Sequence, residues 1–328
     1  MNENFKESKV HITSDDPIVP RLLFGLSTIS AENLADFQAF WPNLKSERRE
    51  TIMKNLVEIN EYSFEVDFEP IFILGLNDAD PEVQVSAIEG LWESGSPALI
   101  PLLIHLLKAG QTVPVRATAA TALGQFVYLG EIEEIEETSY EVTEQALLAT
   151  IRQGDEDLEV VRRAIEAISF SSHEGIPQII ENAYYHDDEN MQVSAVFAMG
   201  RSGDSEQWGK LVLTELENRE TKIRFEAVRA AGELQLKDAV PPLIDLLEKE
   251  ADSQIQQSVV WSLGQIGGPE AREAIEILLD GDDEILQEVA EEALDELTLW
   301  SDDLEEFFAY TISEDDEDDM DVLDLNGR

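Results

Sequence analysis

The sequence predicts an all-α fold, a right-handed α-α superhelix (a solenoid) of about seven stacked helical hairpins. Three observations carry that expectation. A small-residue signature recurs with anchors at Ala87, Ala119, Ala164, Ala195, Ala227, Val259 and Ala290, at steps of 32, 45, 31, 32, 32 and 31 residues. Such a period marks an array of supersecondary units that each contact their neighbours, not one globular core. Several columns also keep the same register: four residues before the anchors stand Val83, Val115, Val160, Met191, Ile223, Ile255 and Leu286, and three after them Gly90, Ala122, Ala167, Ala198, Ala230, Ser262 and Ala293. These offsets share one face of an α-helix, with small residues where a neighbouring helix must come close and larger ones beside them. Finally, 43% of the residues are apolar, ample for a stacked core.

Taken in chain order, residues 1–30 read as a polar N-terminal arm in which Leu22, Leu23 and Phe24 can dock onto the first helices. Residues 31–80 read as N-terminal capping helices. Ser30 and Ser46 are candidate caps for helices ending near Trp41 and Glu61, and Asp67 for one ending near Leu76. Ile52, Leu56 and Ile59 echo the repeat frame with larger side chains, as a one-sided terminal repeat does. Residues 81–299 hold the repeats. Seven before the anchors lie Asp80, Thr112, Asp157, Asp188, Glu220, Asp252 and Asp283, read as N-caps because their oxygens can accept from the free N–H groups of a first turn. Each signature helix is followed by a turn and a second apolar segment, plainest at Ala98–Leu107 and Ala239–Leu247. Pro101 and Pro241 fall in first turns, where a missing N–H costs little. The 45-residue step marks an insertion near 128–140 that carries Glu131, Glu133, Glu134, Glu136 and Glu137. Residues 300–328 form an acidic tail with the run Glu314–Asp319, a composition that favours disorder.

The frame Asp-x-x-(Val/Ile)-x-x-x-Ala-x-x-Ala-Leu-Gly, followed by Ala-Val-Pro-x-Leu-Ile-x-Leu-Leu, resembles the short HEAT-like repeat of the phycobilin-lyase type over roughly residues 46–299. The resemblance implies a bacterial α-solenoid that binds proteins. It also implies a second reading, a chromophore lyase-like or chaperone-like activity on a protein substrate. The position three before the anchor, often Arg in such repeats, holds Arg only at Arg116 and Arg224, so a continuous Asp–Arg ladder is not expected.

Charge bounds the partner. With 22 basic against 71 acidic residues the formal charge is −49, which repels phosphate backbones and anionic lipid surfaces and attracts cationic partners. A HEAT-like DNA-repair glycosylase needs a basic groove, and this balance argues against one. The expected partner is a basic protein, with neither nucleic acid nor membrane. Met1–Pro20 has no apolar signal-peptide core and no stretch reaches the ~18 apolar residues of a membrane span, so a cytoplasmic location is the default expectation.

Candidate chemistry is sparse. The histidines are His11, His105, His173 and His186, and none stands in His-Glu-x-x-His spacing. HEAT-like hydroxylases with a di-iron centre use repeated His-Glu pairs; His173-Glu174 is the one such pair here and reads as a turn. Gly203 to Lys210 is too long for a phosphate loop and lacks its Ser or Thr. No catalytic residue, metal site or cofactor is therefore expected. The binding candidates are the residues that break columns near the turn between paired helices: Trp92, Phe170, Arg201 and Trp208. Either they are exposed anchors of a protein-binding ridge, since Trp and Arg dominate binding energy at interfaces, or the rings plug gaps between hairpins. The expected function is a non-catalytic scaffold or assembly factor.

Overall fold

A computed structural model of the chain describes residues 3–63 and 65–299. The described residues form α-helices and short 3-10 turns, with no strand among them. No described helix is long and apolar enough to cross a membrane. The acidic tail expected over 300–328 lies outside the described residues.

Three helices come first: α1 (Glu3–Thr13), α2 (Ala31–Phe40) and α3 (Ser46–Tyr62). Seven hairpins follow, each a leading helix and then the helix that carries the anchor. They are α4 (Glu69–Gly75) with α5 (Pro81–Glu89), α6 (Ile100–Ala109) with α7 (Val113–Glu131), α8 (Glu137–Arg152) with α9 (Leu158–Ile168), and α10 (Ile176–Tyr184) with α11 (Glu189–Arg201). Then come α12 (Ser205–Glu215) with α13 (Thr221–Glu233), α14 (Val240–Lys249) with α15 (Ser253–Ile266), and α16 (Pro269–Leu278) with α17 (Glu284–Leu299). The chain divides into two units, residues 1–198 and 199–328, the division falling within α11. Each unit is a stack in which successive anchor helices pack on one another, α5 on α7 and α7 on α9 in the first, α13 on α15 and α15 on α17 in the second.

The anchor column explains that stacking. All seven anchors are fully buried. Two residues beyond the small position at +3 stands a second small column, and it meets the neighbouring helix at contact distance. A Cβ added at Gly124 would lie 3.0 Å from the Cα of Ala167, and one added at Gly264 would lie 2.9 Å from the Cβ of Ala293. Glycine at +5 thus packs against the +3 residue of the next anchor helix, and a larger side chain would push the helices apart.

Helix starts follow the expected caps at five of the seven positions. Asp80 accepts from Glu82 N–H, Asp157 from Glu159, Asp188 from Met191, Asp252 from Gln254 and Ile255, and Asp283 from Ile285 and Leu286. Thr112 and Glu220 make no such bond. At the latter turn the Asn218 side chain accepts from Glu220 N–H instead. Ser30 caps α2 as expected, whereas Ser46 is already the first residue of α3.

The column three before the anchor closes the hairpin turns. Arg116 donates to the carbonyl of Gly110, Gln192 to that of His186, Arg224 to Asn218, Gln256 to Glu250 and Gln287 to Gly281. Arginine and glutamine are interchangeable in this role because each offers an N–H donor at similar reach; Val161 offers none. Only arginine has a further arm for an acid, so ionic rungs occur where it stands: Arg116 to Glu156 at 2.9 Å and Arg224 to Glu250 at 2.8 Å. The interrupted ladder is therefore built of separate rungs.

Two expectations change. Residues 3–13 of the expected arm form a helix whose Phe5, Ser8 and Ile12, spaced along one face, are buried. Arg48 of α3 fastens its C-terminal end by donating to the carbonyls of His11, Ile12 and Asp16. Of the three docking residues proposed for the arm, Leu23 is buried, Leu22 half-buried and Phe24 exposed. The residues inserted near 128–140 mostly lengthen α7 and α8 and leave a short connection over 132–136.

Candidate functional site

The ends of the anchor helices decide what each candidate does. In the first unit α5 stops at Glu89, so the residue at +5, which is glycine in α7, falls outside the helix. That residue is Trp92; its ring leaves the packing seam and is 58% exposed. The longer α7 carries Tyr128 and reaches Ile132 at its C-terminal end, 45% and 47% exposed. Phe170, just past α9, is half-buried and meets Tyr128 edge-on, ring centroids 5.2 Å apart. The turn that carries Trp92 abuts α7, for a Cβ on Gly95 would lie 3.4 Å from Leu129 Cδ1. Trp92, Tyr128 and Phe170 thus come from three successive hairpins, and Tyr128 was not singled out by the column reading. Its only sequence signal was its place at the start of the insertion.

A polar network ties this region to the turn before α10. The Tyr140 hydroxyl donates to Glu131 Oε1 at 2.5 Å, and Ser171 Oγ donates to Glu144 Oε1 at 2.6 Å and lies 3.0 Å from the tyrosine oxygen. Glu131 also accepts from Ser172 N–H at 2.7 Å. Burial, reinforced by the hydrogen bond to Glu131, holds the Tyr140 hydroxyl well above the usual phenol range. The raised value means that folded Tyr140 keeps its proton where unfolded tyrosine loses it. Its contribution is complete below about pH 10 and is lost as pH climbs beyond that. Tyr140→Phe is expected to lower stability by about 1–3 kcal/mol, because half-buried carboxylates lose a donor, and to flatten the alkaline loss. Denaturant unfolding at neutral and alkaline pH measures both.

Beside the aromatic residues lies an uncompensated acidic segment. Residues 117–151 contain seven glutamates and no lysine, arginine or histidine. Glu133, Glu134, Glu136 and Glu137 are exposed, and none has an ion-pair partner among the described residues.

Arg201 and Trp208 belong to the second unit. Trp208 is 3% exposed. It lies in the first turn of α12, on the face turned towards the core, so it is a packing residue and not an exposed anchor. Arg201 Nε lies 3.4 Å from Glu233 Oε1, which Arg229 also approaches at 3.5 Å. Burial pushes the Glu233 carboxyl up, and the two guanidinium groups pull it back. The charge of Arg201 is engaged within its own unit. This unit also has an open groove of about 460 Å³ lined by Phe225, Arg229, Gln257, Trp261 and Val289. Trp261 is half-buried there.

His173 closes a turn by accepting the Gly175 N–H on Nδ1 at 3.0 Å. Among the described residues no three His, Asp or Glu side chains are grouped to hold a metal ion.

A family model described as HEAT repeats matches residues 69–149 and 209–295, together just over half of the chain. No curated protein sequence matches. Among solved structures, the complex of CpcE and CpcF of phycocyanin lyase from Nostoc sp. PCC7120 is similar at a TM-score of 0.51 and 17% identity, over 87% of this chain and 97% of that one. Escherichia coli YibA is similar at a TM-score of 0.46 and 16% identity, over 87% and 99%. Human deoxyhypusine hydroxylase follows at 0.37 and 17%, over 90% and 97%. Identities this low speak for the fold alone.

Proposed function

Because this chain belongs to the HEAT-repeat family, we propose that it is a non-catalytic scaffold or assembly factor that recognises a basic protein surface. One observation carries the reading: the arginines that could offset the acidic excess are largely spent inside the units. Arg49 pairs with Asp78, Arg116 with Glu156, Arg162 and Arg163 with Glu159 and Glu166, Arg224 with Glu250, and Arg201 and Arg229 with Glu233. Of the described acids outside these pairs, Glu133, Glu134, Glu136 and Glu137 are among those exposed, and the sequence as a whole carries a formal charge of −49. Stacked hairpins offer an extended, pre-ordered surface, and a potential of one sign over it speeds encounter with cations.

The test is low-salt affinity capture on the full chain, with cross-linking and mass spectrometry. Partners of basic pI are expected, captured in amounts that fall steeply as salt shortens the screening length from about 10 Å at 0.1 M to about 3 Å at 1 M. Capture dominated by neutral or acidic proteins, unchanged by salt, would overturn the basic-surface reading. The second reading, a lyase-like or chaperone-like activity on a protein substrate, is favoured only by the fold shared with the phycocyanin lyase complex. It predicts a chromophore held by the purified protein.

A further inference from the structure

We propose that Trp92, Tyr128 and Phe170, with the acidic connection between α7 and α8 beside them, form the docking site for an extended arginine- and lysine-rich segment of the partner. The proposal rests on the basic-partner reading and narrows it to one face of the first unit. Two independent features of the surface meet here. Trp92 and Tyr128 are 58% and 45% exposed, and aromatic rings attract a guanidinium or ammonium group. Glu133, Glu134, Glu136 and Glu137 supply negative charge that no internal cation offsets, on a stretch from 117 to 151 without a base. A neutral apolar partner would leave those carboxylates to be desolvated without a counter-charge, and an acidic one would be repelled. A cationic segment meets both demands: its charged heads reach the carboxylates while its methylene stems lie along the rings.

The site is also held in place from below. Tyr128 packs on Phe170, and the hydrogen bonds among Glu131, Tyr140, Glu144 and Ser171 tie α7, α8 and the turn before α10 together. Little ordering is needed when the segment binds, and pre-ordering of this kind favours affinity.

The test measures fluorescence anisotropy of a fluorescein-labelled peptide of alternating arginine and glycine, titrated at low salt with the full chain. An alternating glutamate–glycine peptide is the control. Trp92→Ala is expected to weaken binding of the arginine peptide about tenfold, with hydrogen-exchange protection around α5 unchanged. Trp92→Leu is expected to weaken it nearly as much, since leucine keeps apolar area but has no ring face. Combined Glu133→Gln, Glu134→Gln, Glu136→Gln and Glu137→Gln should reduce both the affinity and its salt dependence. The matched set Glu58→Gln, Glu61→Gln, Glu65→Gln and Glu82→Gln removes as many exposed carboxylates elsewhere in the unit and should do so far less. If the wild type binds the arginine peptide but the ridge variants bind equally well, or if both glutamine sets lose affinity alike, the ridge proposal falls and the basic-partner reading stands. If the wild type binds neither peptide, both fall.

Discussion

Trp208→Ala is expected to lower the stability of the second unit by about 3–5 kcal/mol, the range for deleting a buried aromatic side chain, whereas Trp92→Ala should stay within about 0.5 kcal/mol of wild type. Trp208 is 3% exposed and Trp92 58% exposed, so truncation leaves a cavity in one case and only removes a ring from solvent in the other. A stacked-repeat chain need not unfold as one cooperative unit, so the global midpoint is a poor reporter. Hydrogen exchange resolved by helix is the better measurement. Protection should collapse in α12 and in α13, on which it packs, and remain unchanged around α5 in the Trp92 variant. Equal protection of α12 in wild type and Trp208→Ala would mean that the indole is not a packing element.

Asp78→Ala is expected to cost the first unit about 3–5 kcal/mol, because it strands a buried cation. The Asp78 carboxylate accepts from Arg49 Nη2 at 2.9 Å, from the Trp41 indole at 2.7 Å and from Asp80 N–H at 2.9 Å. The side chains of Arg49 and Asp78 are only 11% and 4% exposed. This one carboxylate links α3, the end of α2 and the turn that starts α5, and Ser46 adds a further link by donating to Asp80. Asp78→Asn keeps the shape and one acceptor and should fall between Ala and wild type. The pair Arg49→Met with Asp78→Ala should recover part of the loss, since an apolar side chain in place of the cation leaves no buried charge. Denaturant unfolding of wild type, Arg49→Met, Asp78→Ala and the double variant forms the cycle. A double variant no better than Asp78→Ala would show that the cost comes from the Trp41 and Asp80 bonds and not from the stranded guanidinium.

Much of the architecture was legible because it is written in local chemistry. Anchors such as Ala87 and Ala227 and caps such as Asp157 and Asp252 act within one or two turns of their own helix, where spacing and side-chain type are sufficient evidence. The first helix was missed because Phe5 and Ile12 are the only large buried apolar side chains in a segment otherwise polar; the pattern was present but weak until the turns over 20–26, which pack on it, were in place. The role of the column three before the anchor was half legible. Its arginines were visible, but that Gln192, Gln256 and Gln287 do the same work emerges only where the carbonyl they reach is placed in space.

Sequence alone therefore determined the repeat, the hairpin, the buried face of each anchor helix and the sign of the net charge, because all of these follow from periodicity and composition. Tertiary structure decided which of two similar tryptophans meets solvent. Trp92 is exposed because α5 ends before the position where α7 and α15 place glycine against the next helix, and Trp208 is buried because α12 has already begun and turns it inward. Where a helix stops relative to its neighbour is a non-local fact, and the fate of a side chain at that end depends on the neighbour as much as on its own residue type.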